Sequence, residues 1–413
     1  MSPGPVIGSV AVPGSKSETN RALVLAALAD GPSQIVGALD SRDSRLMVDA
    51  LRQLGVEIVD DGDALSVRPP SQFRGGARVD CGLAGTVMRF LPPVALLADG
   101  PTEFFGDAHA SQRPMAPIID ALCQVGAECT ADRLPFTMTP GPELGDVAAI
   151  DASASSQFIS GPLLAACRLP RGLRLSHTGD SLPSLPHIAM TVEMLRDRGV
   201  EISQPSEREW HVAPGPIAAR DCRVEPDLTN ASVFLAAAAL TGGSVGVPGW
   251  PDRTVQPGAL FLDIVERFGA RVTRNNGSVT VTGNGRLTAI DVDLHAASEL
   301  TPVIAALGAF ADGRTVISGV AHIRGHETDR LAALVTELRR VGVAADETAD
   351  GLWIEGCAPA ELRGALLETY ADHRMVHFAA LLALLVPGIS VTDLGCVSKT
   401  MPDFEAVWRG LIG

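Results

Sequence analysis

Residues 233–243 read Val-Phe-Leu-Ala-Ala-Ala-Ala-Leu-Thr-Gly-Gly. A helix with no polar face is buried on every side, and the paired glycines turn the chain out of it. The same figure, an apolar helical stretch, a glycine turn and an extended stretch, recurs at 22–31, 90–100, 158–172, 303–313 and 376–388. The turn glycines Gly31, Gly100, Gly172, Gly243, Gly313 and Gly388 stand 69 to 75 residues apart, so the chain is a sixfold repeat. A second helix ends 22 to 29 residues after each turn, at Gly55, Gly126, Gly199, Gly269 and Gly342 and, in a weaker sixth copy, at Gly410. Glycine just past a helix end suits the left-handed cap. This second helix is amphipathic, as at 331–340 (Leu-Ala-Ala-Leu-Val-Thr-Glu-Leu-Arg-Arg), and has one face on the surface. Alternation at 278–282 and 173–176 reads as strand. Each copy is therefore a βαβαββ unit with one buried and one exposed helix. Six copies pack as three and three in two lobes, with the boundary near Glu225–Asp227, where Pro226 breaks the chain.

Composition narrows the function. The 413 residues carry a net charge of −15 and are 46% hydrophobic. The pI is near 5.0 and the mean hydropathy +0.21. Such a chain builds sizeable cores and is not disordered. The acidic balance argues against nucleic-acid or membrane binding. Aromatics are 4% with one tyrosine, Tyr370, too few for base-stacking platforms. The seven cysteines are scattered without a CxxC pair. That predicts no structural zinc and no disulfide framework, and a reducing cytoplasm. Residues 1–17 lack a basic segment leading into an apolar one, so no signal peptide is expected, and no apolar run is long enough to span a bilayer.

Buried helices present unpaired N–H groups and a partial positive charge at their N-termini, which favours anions. The chemically capable residues sit at these six starts. They are Pro13-Gly-Ser-Lys16-Ser17 with Arg21, Gly82-Leu-Ala-Gly85-Thr86 with Arg89, Ser153-Ala-Ser155-Ser156-Gln157, Asp227 to Ser232, Ser298-Glu299-Leu-Thr301, and Tyr370-Ala-Asp372-His373-Arg374. Ordinary capping accounts for Asp227 and Ser153. It does not account for Lys16, Arg21, Arg89 and Arg374, because cations at a helix N-terminus oppose its dipole. An anionic ligand does. Three more cationic clusters precede amphipathic helices: Gln112-Arg113-Pro-Met, Arg324-Gly-His326-Glu327-Thr-Asp329-Arg330 and Ser398-Lys399-Thr-Met-Pro402. In the second, an Asp329–Arg330 surface pair is the plain alternative to a functional role. The Gly14-Ser-Lys16-Ser17 run is not a phosphate-binding NTPase loop, since GxxxxGK[ST] is absent, and no GxGxxG opens a helix.

These residues resemble the 5-enolpyruvylshikimate-3-phosphate synthase family. The matching pieces are Pro13-Gly-Ser-Lys-Ser-(3)-Arg21, Ser41-Arg-Asp-Ser-(2)-Met47, Ala84-Gly-Thr-(2)-Arg89, Gly106-Asp-(5)-Arg113-Pro-Met, Ser155-Ser-Gln-Phe158, Glu327-Thr-Asp-Arg-Leu331, Asp372-His-Arg-Met375 and Ser398-Lys-Thr-(1)-Pro402. They stand in the family order over essentially the whole chain. The resemblance implies an inside-out α/β barrel of two three-unit lobes. The chain crosses between them twice, giving 15–226 as the N-terminal lobe, 1–14 plus 227–413 as the C-terminal lobe, and a substrate cleft between. It implies addition–elimination: the enolpyruvyl group of phosphoenolpyruvate passes to the 5-hydroxyl of shikimate 3-phosphate and phosphate leaves. No metal or organic cofactor is called for. A cytoplasmic monomer is expected, as is competition by glyphosate with phosphoenolpyruvate, for which Gly85 leaves room.

Carried over by position, Lys16, Gly85, Arg89, Arg113, Gln157, Arg330, Arg374 and Lys399 face phosphoenolpyruvate. Lys16, Ser17, Arg21, Ser155, Ser156, Gln157, Ser184, Glu299, His322 and His326 hold shikimate 3-phosphate. Lys16, Glu299, Glu327 and His373 are catalytic: Glu299 takes the hydroxyl proton, Glu327 protonates the methylene, and His373 lies beside the phosphate. Several positions depart from the family pattern. Leu83, Phe90, Glu299, His322 and His326 replace asparagine, proline, aspartate, asparagine and lysine, and Leu185 and His187 stand where lysine and tyrosine are usual. The acceptor side is thus less cationic, since histidine loses its charge above about pH 6.5. The alternatives are a paralogue with another acceptor alcohol and a ligand-binding homologue without catalysis.

Overall fold

The computed structural model describes residues 4–413. Met1, Ser2 and Pro3, which fall in the segment 1–14 assigned above and in the stretch searched for a signal peptide, lie outside the described residues. The chain forms two compact units, Gly14–Val224 and Glu225–Gly413, the second joined by the segment ending at Pro13.

In Gly14–Val224 the helices are α1 (Lys16–Ala27), α2 (Arg42–Gln53), α3 (Gly85–Ala95), α4 (Ala116–Val125), α5 (Gln157–Ala166) and α6 (Leu185–Arg196). The apolar helices α1, α3 and α5 pack on one another, and the amphipathic ones lie outside them. Three four-stranded sheets flank this helical centre. The middle copy shows the plan. Ala77–Asp80 runs parallel to Thr102–Phe105, and the Ala127–Cys129/Phe136–Pro140 hairpin adds antiparallel to it. In the first copy the opening strand comes from the far end of the unit, where Cys222 pairs with Ile35 and Arg223 with Val36.

Glu225–Gly413 repeats the arrangement with α7 (Leu228–Thr241), α8 (Phe261–Arg267), α9 (Thr301–Gly308), α10 (Arg330–Val341), α11 (His373–Leu385) and α12 (Phe404–Ile412). Here α7, α9 and α11 are central and touch one another. Its opening strand is Ile7–Ser9, parallel to Ser244–Pro248 with Ile7 opposite Ser244. Each unit is an α/β barrel turned inside out because its first helices are too apolar to face water. Leu228 through Leu240 are all buried, as is every residue of α9.

Two details depart from the sequence reading. The sixth copy has only the parallel pair Leu366–Leu367 and Ser390–Val391 and then α12, with no hairpin among the described residues. Gly410 does not end its helix, which continues to Ile412. Elsewhere Gly126 and Gly342 are left-handed caps of α4 and α10.

Helix contacts are tuned by single residues. Pro93 has no N–H for the Arg89 carbonyl four residues earlier. At Gly161 of α5 a Cβ would lie 2.2 Å from that carbonyl oxygen, so only glycine allows α5 so close. In the other unit Phe234 of α7 packs against Phe404 and Trp408, ring centroids 5.9 Å away in each case. Asp227 caps the same helix, accepting from the Asn230 N–H at 2.9 Å. Phe234→Ala is expected to destabilise by about 3–5 kcal/mol and Asp227→Ala by about 1 kcal/mol. Urea melts should show the larger midpoint loss for the phenylalanine.

Candidate active site

In Gly14–Val224 the candidates gather at the starts of α1, α3, α5 and α6. Ser15 caps α1, its Oγ accepting from the Glu18 N–H at 3.4 Å. That leaves Lys16 and Ser17 in the first turn. The Lys16 Nζ lies 3.3 Å from a carboxylate oxygen of the buried Asp43. Arg89 donates to the Gln157 side-chain oxygen at 3.1 Å and to the Pro114 carbonyl at 3.1 Å, with its guanidinium over the Phe158 ring. Arg113 donates to the Leu83 carbonyl at 3.0 Å. Its buried Nε meets no acceptor among the described residues. Gly85 lies at the centre of this group. A Cβ there would come within 2.7 Å of Arg89 Nη1, 3.0 Å of the Gln157 oxygen and 3.1 Å of Arg113 Nη2. The glycine keeps open the space into which these donors point.

Other candidates in this unit sit differently. Arg21 is buried, and four of its five N–H groups are occupied: Nε by Thr191 at 2.7 Å, Nη1 by the Ser17 carbonyl at 3.0 Å, and Nη2 by Ser160 and the His187 carbonyl. It ties α1, α5 and α6 together, and one N–H remains for a ligand. Burial pulls its guanidinium down to about 9, with Glu18 offsetting part. Ser155 accepts from the Gln157 N–H at 3.3 Å, and the buried Ser156 immediately precedes α5. Ser153 does not cap that helix, which starts without a side-chain cap. Ser184, before α6, holds a left-handed φ of 54°, a conformation that costs a non-glycine residue roughly 1–3 kcal/mol.

In Glu225–Gly413 the candidates converge on Arg330, which is 1% exposed. All five of its N–H groups are engaged. Nε and one Nη2 hydrogen go to Asp372 at 2.7 and 3.2 Å, and the other Nη2 hydrogen goes to Glu327 at 2.9 Å. Nη1 donates to Glu299 at 3.0 Å and faces His326 Nδ1 at 3.0 Å. Burial opposes this charge, but Asp372, Glu299 and Glu327 outweigh it and hold the guanidinium well above its ordinary value. A ligand reaches Arg330 only by displacing one of these partners. Lys399 donates to the other oxygen of Glu327 at 2.5 Å. Arg374 lies 3.4 Å from Glu299 and donates to Asn230 at 3.3 Å. His373 is buried with Nδ1 3.5 Å from Asp372. Asp372 also caps α11 by accepting from the Arg374 N–H at 2.9 Å. Just before it, Tyr370 and Ala371 are both left-handed, with φ of 54° and 53°.

Glu299 feels opposed forces. Desolvation would raise its carboxyl, but Arg330 and Arg374 hold it well below the usual carboxylate range. The histidines are also pulled down, which leaves them uncharged. Arg330 can only donate, so His326 Nδ1 accepts and the ring is neutral. Burial and then Arg330 pull it to about 3. His322 bonds Ser298 through Nε2 at 2.9 Å. Burial and then His295 pull it to about 4 against Glu299. These rings are therefore uncharged over the whole neutral range, not merely above about pH 6.5. Asp329 does not pair with Arg330 on the surface: it caps α10 and meets Arg324.

Asp372, Asp43 and Asn230 are the functional neighbours that reading by residue type passed over. Each lay in a quoted motif or helix start, where an Asp or Asn reads first as a cap. Among the described residues no group of His, Cys, Asp or Glu is arranged to hold a metal ion. Among them, too, no helix is long and apolar enough to cross a membrane.

The fold is that of enolpyruvyl transferases. The chain superposes with a TM-score of 0.81 on EPSP synthase from Acinetobacter baumannii, at 24% identity, covering 100% of this chain and 97% of that one. It matches the enolpyruvyl transferase NikO from Streptomyces tendae with a TM-score of 0.80 at 20% identity, covering 99% and 95%. Sequence likeness is much closer to a 3-phosphoshikimate 1-carboxyvinyltransferase from Kocuria rhizophila, 49% identical over 423 aligned positions, 99% of this chain and 94% of the relative. The family model for EPSP synthase (3-phosphoshikimate 1-carboxyvinyltransferase) matches residues 1–408, and the chain belongs to that family of transferases.

The histidine geometry makes a pH prediction. Below about pH 6.5 the unfolded chain binds protons at positions 322 and 326 that the folded chain refuses. Their contribution to stability is complete above about pH 6.5 and is lost as the pH falls through about 4 and 3. Urea melts from pH 7.5 to 4 should show the loss shrink when both histidines are replaced by glutamine. An NMR titration placing either ring near 6.5 contradicts the assignment.

Proposed function

We propose that the chain transfers the carboxyvinyl group of phosphoenolpyruvate to the 5-hydroxyl of shikimate 3-phosphate and releases phosphate. The observation that carries this reading is the pair of carboxylates Glu299 and Glu327 held on one buried guanidinium, with Lys399 and Arg374 beside them. It is the equipment of an acid–base reaction on anionic substrates, in a chain 49% identical to a 3-phosphoshikimate 1-carboxyvinyltransferase. The reading takes these two small molecules as the partners and assigns groups of both units to one reaction. Free cysteines throughout fit a reducing cytoplasm. A monomer suffices for it, and so do the side chains without a metal.

Arg89, Arg113 and Gln157, around the space kept by Gly85, receive the phosphate and carboxylate of phosphoenolpyruvate together with Lys16, and Arg374, Arg330 and Lys399 complete its binding. Arginine suits this because its planar fork grips such groups with two bonds. Ser17, Arg21, Ser155, Ser156, Ser184, His322 and His326 hold shikimate 3-phosphate. The neutral histidines act there as hydrogen-bonding groups and not as cations.

Charge balance gives the order of events. Arg330, Arg374 and Lys399 are offset by Glu299, Glu327 and Asp372. An arriving carboxylate therefore competes with Glu299 for Arg330 and Arg374. Glu299 then regains basicity and takes the 5-hydroxyl proton as the oxygen attacks. Glu327 stands as a carboxylate between two cationic donors. It acts as an acid by passing the Lys399 proton on to the methylene carbon. In the elimination the methyl group of the tetrahedral adduct returns a proton through Glu327 to Lys399 as the C–O bond to phosphate breaks, and the hydroxyl proton held by Glu299 leaves with the phosphate, for which His373 and Lys16 are the assigned partners. Such positioned acid–base groups each contribute about 10²–10⁴-fold.

Phosphate release from phosphoenolpyruvate and shikimate 3-phosphate tests the reading: release must require both. Release with another acceptor alcohol alone, or binding without release, refutes it. Glu327→Gln should lower kcat by roughly two or more powers of ten with modest changes in KM. Gly85→Ala should raise the KM for phosphoenolpyruvate about tenfold and weaken glyphosate, because the methyl group pushes on three ligand-seeking side chains. An unchanged KM removes Gly85 from the site.

A further inference from the structure

We propose that Glu337 and Tyr370 are positioning residues: their hydrogen bond holds a strained two-residue corner in the conformation that aims Asp372, His373 and Arg374. The proposal rests on the carboxyvinyl-transfer reading and adds to it a part played away from the substrates.

Tyr370 and Ala371 adopt left-handed φ of 54° and 53°, and neither is glycine. Two such residues in succession persist only where their surroundings enforce them. Their position is not neutral, because Asp372 follows immediately and α11 starts at His373. An error in this corner is passed to Asp372, and through it to Arg330 and to the Arg374 N–H.

Helix α10 supplies the enforcement as three rungs along the segment 366–372. At its start Arg330 grips Asp372. Two turns on, Glu337 accepts the Tyr370 hydroxyl at 2.8 Å through one oxygen and the Glu368 N–H at 3.3 Å through the other. Near its end Arg340 donates to the Leu366 carbonyl at 2.9 Å and lies 3.3 Å from Glu337. Glu337 is wholly buried, yet no step of the reaction uses it. A buried carboxylate needs compensation, and its partners lie on both sides of the corner's entry. Tyr370 is the only tyrosine in the chain. Its own N–H is held by the Glu368 side chain at 3.2 Å. The hydroxyl ties the first residue of the left-handed pair to α10, while the Asp372 N–H closes the turn on the Thr369 carbonyl at 2.8 Å.

The test is Tyr370→Phe, alone and combined with Ala371→Gly, in the full chain. Tyr370→Phe keeps the ring and loses the tether. It is expected to lower kcat by tenfold or more and raise the KM for phosphoenolpyruvate, with the KM for shikimate 3-phosphate within twofold. Hydrogen exchange at the amides of 372–375 should accelerate. Glycine at 371 accepts the left-handed conformation without strain, so the double variant should recover most of kcat and of the protection. Ala371→Gly alone should resemble the parent. Unchanged kinetics in Tyr370→Phe with only a lower Tm overturns the proposal, as does a double variant that recovers neither kcat nor protection. If the parent fails to turn over these substrates while the exchange pattern holds, the tether stands and the reaction assignment falls.

Discussion

A guanidinium sealed from water must find an acceptor for each of its five N–H groups, and that requirement at Arg330 organises one of the two units. Asp372 takes two, and Glu299, Glu327 and His326 take one each. The consequences spread along the chain. Because Asp372 is fixed, α11 starts where it does. Because His326 accepts, it is neutral. Because Glu299 and Glu327 share one cation, two carboxylates of different duty are held close to each other. Breaking a buried ion pair by removing one partner costs about 3–5 kcal/mol, and the partner left behind accounts for most of it. With three carboxylates depending on Arg330, the network is fixed far more firmly than surface pairs such as Arg45–Asp40.

The two units use charge in different ways. Around Gly85, Arg89 donates to the Gln157 side-chain oxygen and the Pro114 carbonyl, and Arg113 to the Leu83 carbonyl. Around Arg330, cations and carboxylates balance. In the proposed reaction an anion enters this group by displacing Glu299 from Arg330 and Arg374, and that displacement ties binding to activation of the base. A simple concentration of positive groups would bind phosphoenolpyruvate as well but would leave Glu299 with no signal that the substrate had arrived.

Much of this was legible in the sequence because burial leaves a periodic mark. The six apolar stretches, such as 233–240, located the central helices, and the residues at their starts are the candidates that gather within each unit. What stayed hidden was pairing. Nothing in residue type says that Arg21 is occupied on four sides by its own unit, that Arg330 has no donor to spare, or that Asp329 turns to Arg324. Hydrogen-bond saturation is a property of three-dimensional neighbours. For the same reason His326 read as a partial substitute for lysine, whereas a donor at 3.0 Å makes it neutral. The sixth copy misled through Gly410, because a glycine near a chain's last turn looks like a cap whether or not the helix stops there.

Strain was the least legible feature, and its distribution is informative. Four non-glycine residues among those described are left-handed: Ser184, Asn276, Tyr370 and Ala371. Asn276 precedes Gly277 in the turn between strands Arg271–Asn275 and Ser278–Thr282, where asparagine takes this conformation for a local reason. The other three have no such excuse. Serine, tyrosine and alanine gain nothing locally from a positive φ, and they stand at the approaches to α6 and α11, Ser184 immediately before Leu185 and the other two before the cap Asp372. Glycine would relieve the strain, yet at position 370 it would carry no side chain to tie. A side chain that can be tied, as Tyr370 is to Glu337, turns an unfavourable backbone into a fixed one. Rigidity at helix starts is what an anion site built from N–H groups and short cationic contacts requires, since its donors must already point the right way before the substrate arrives.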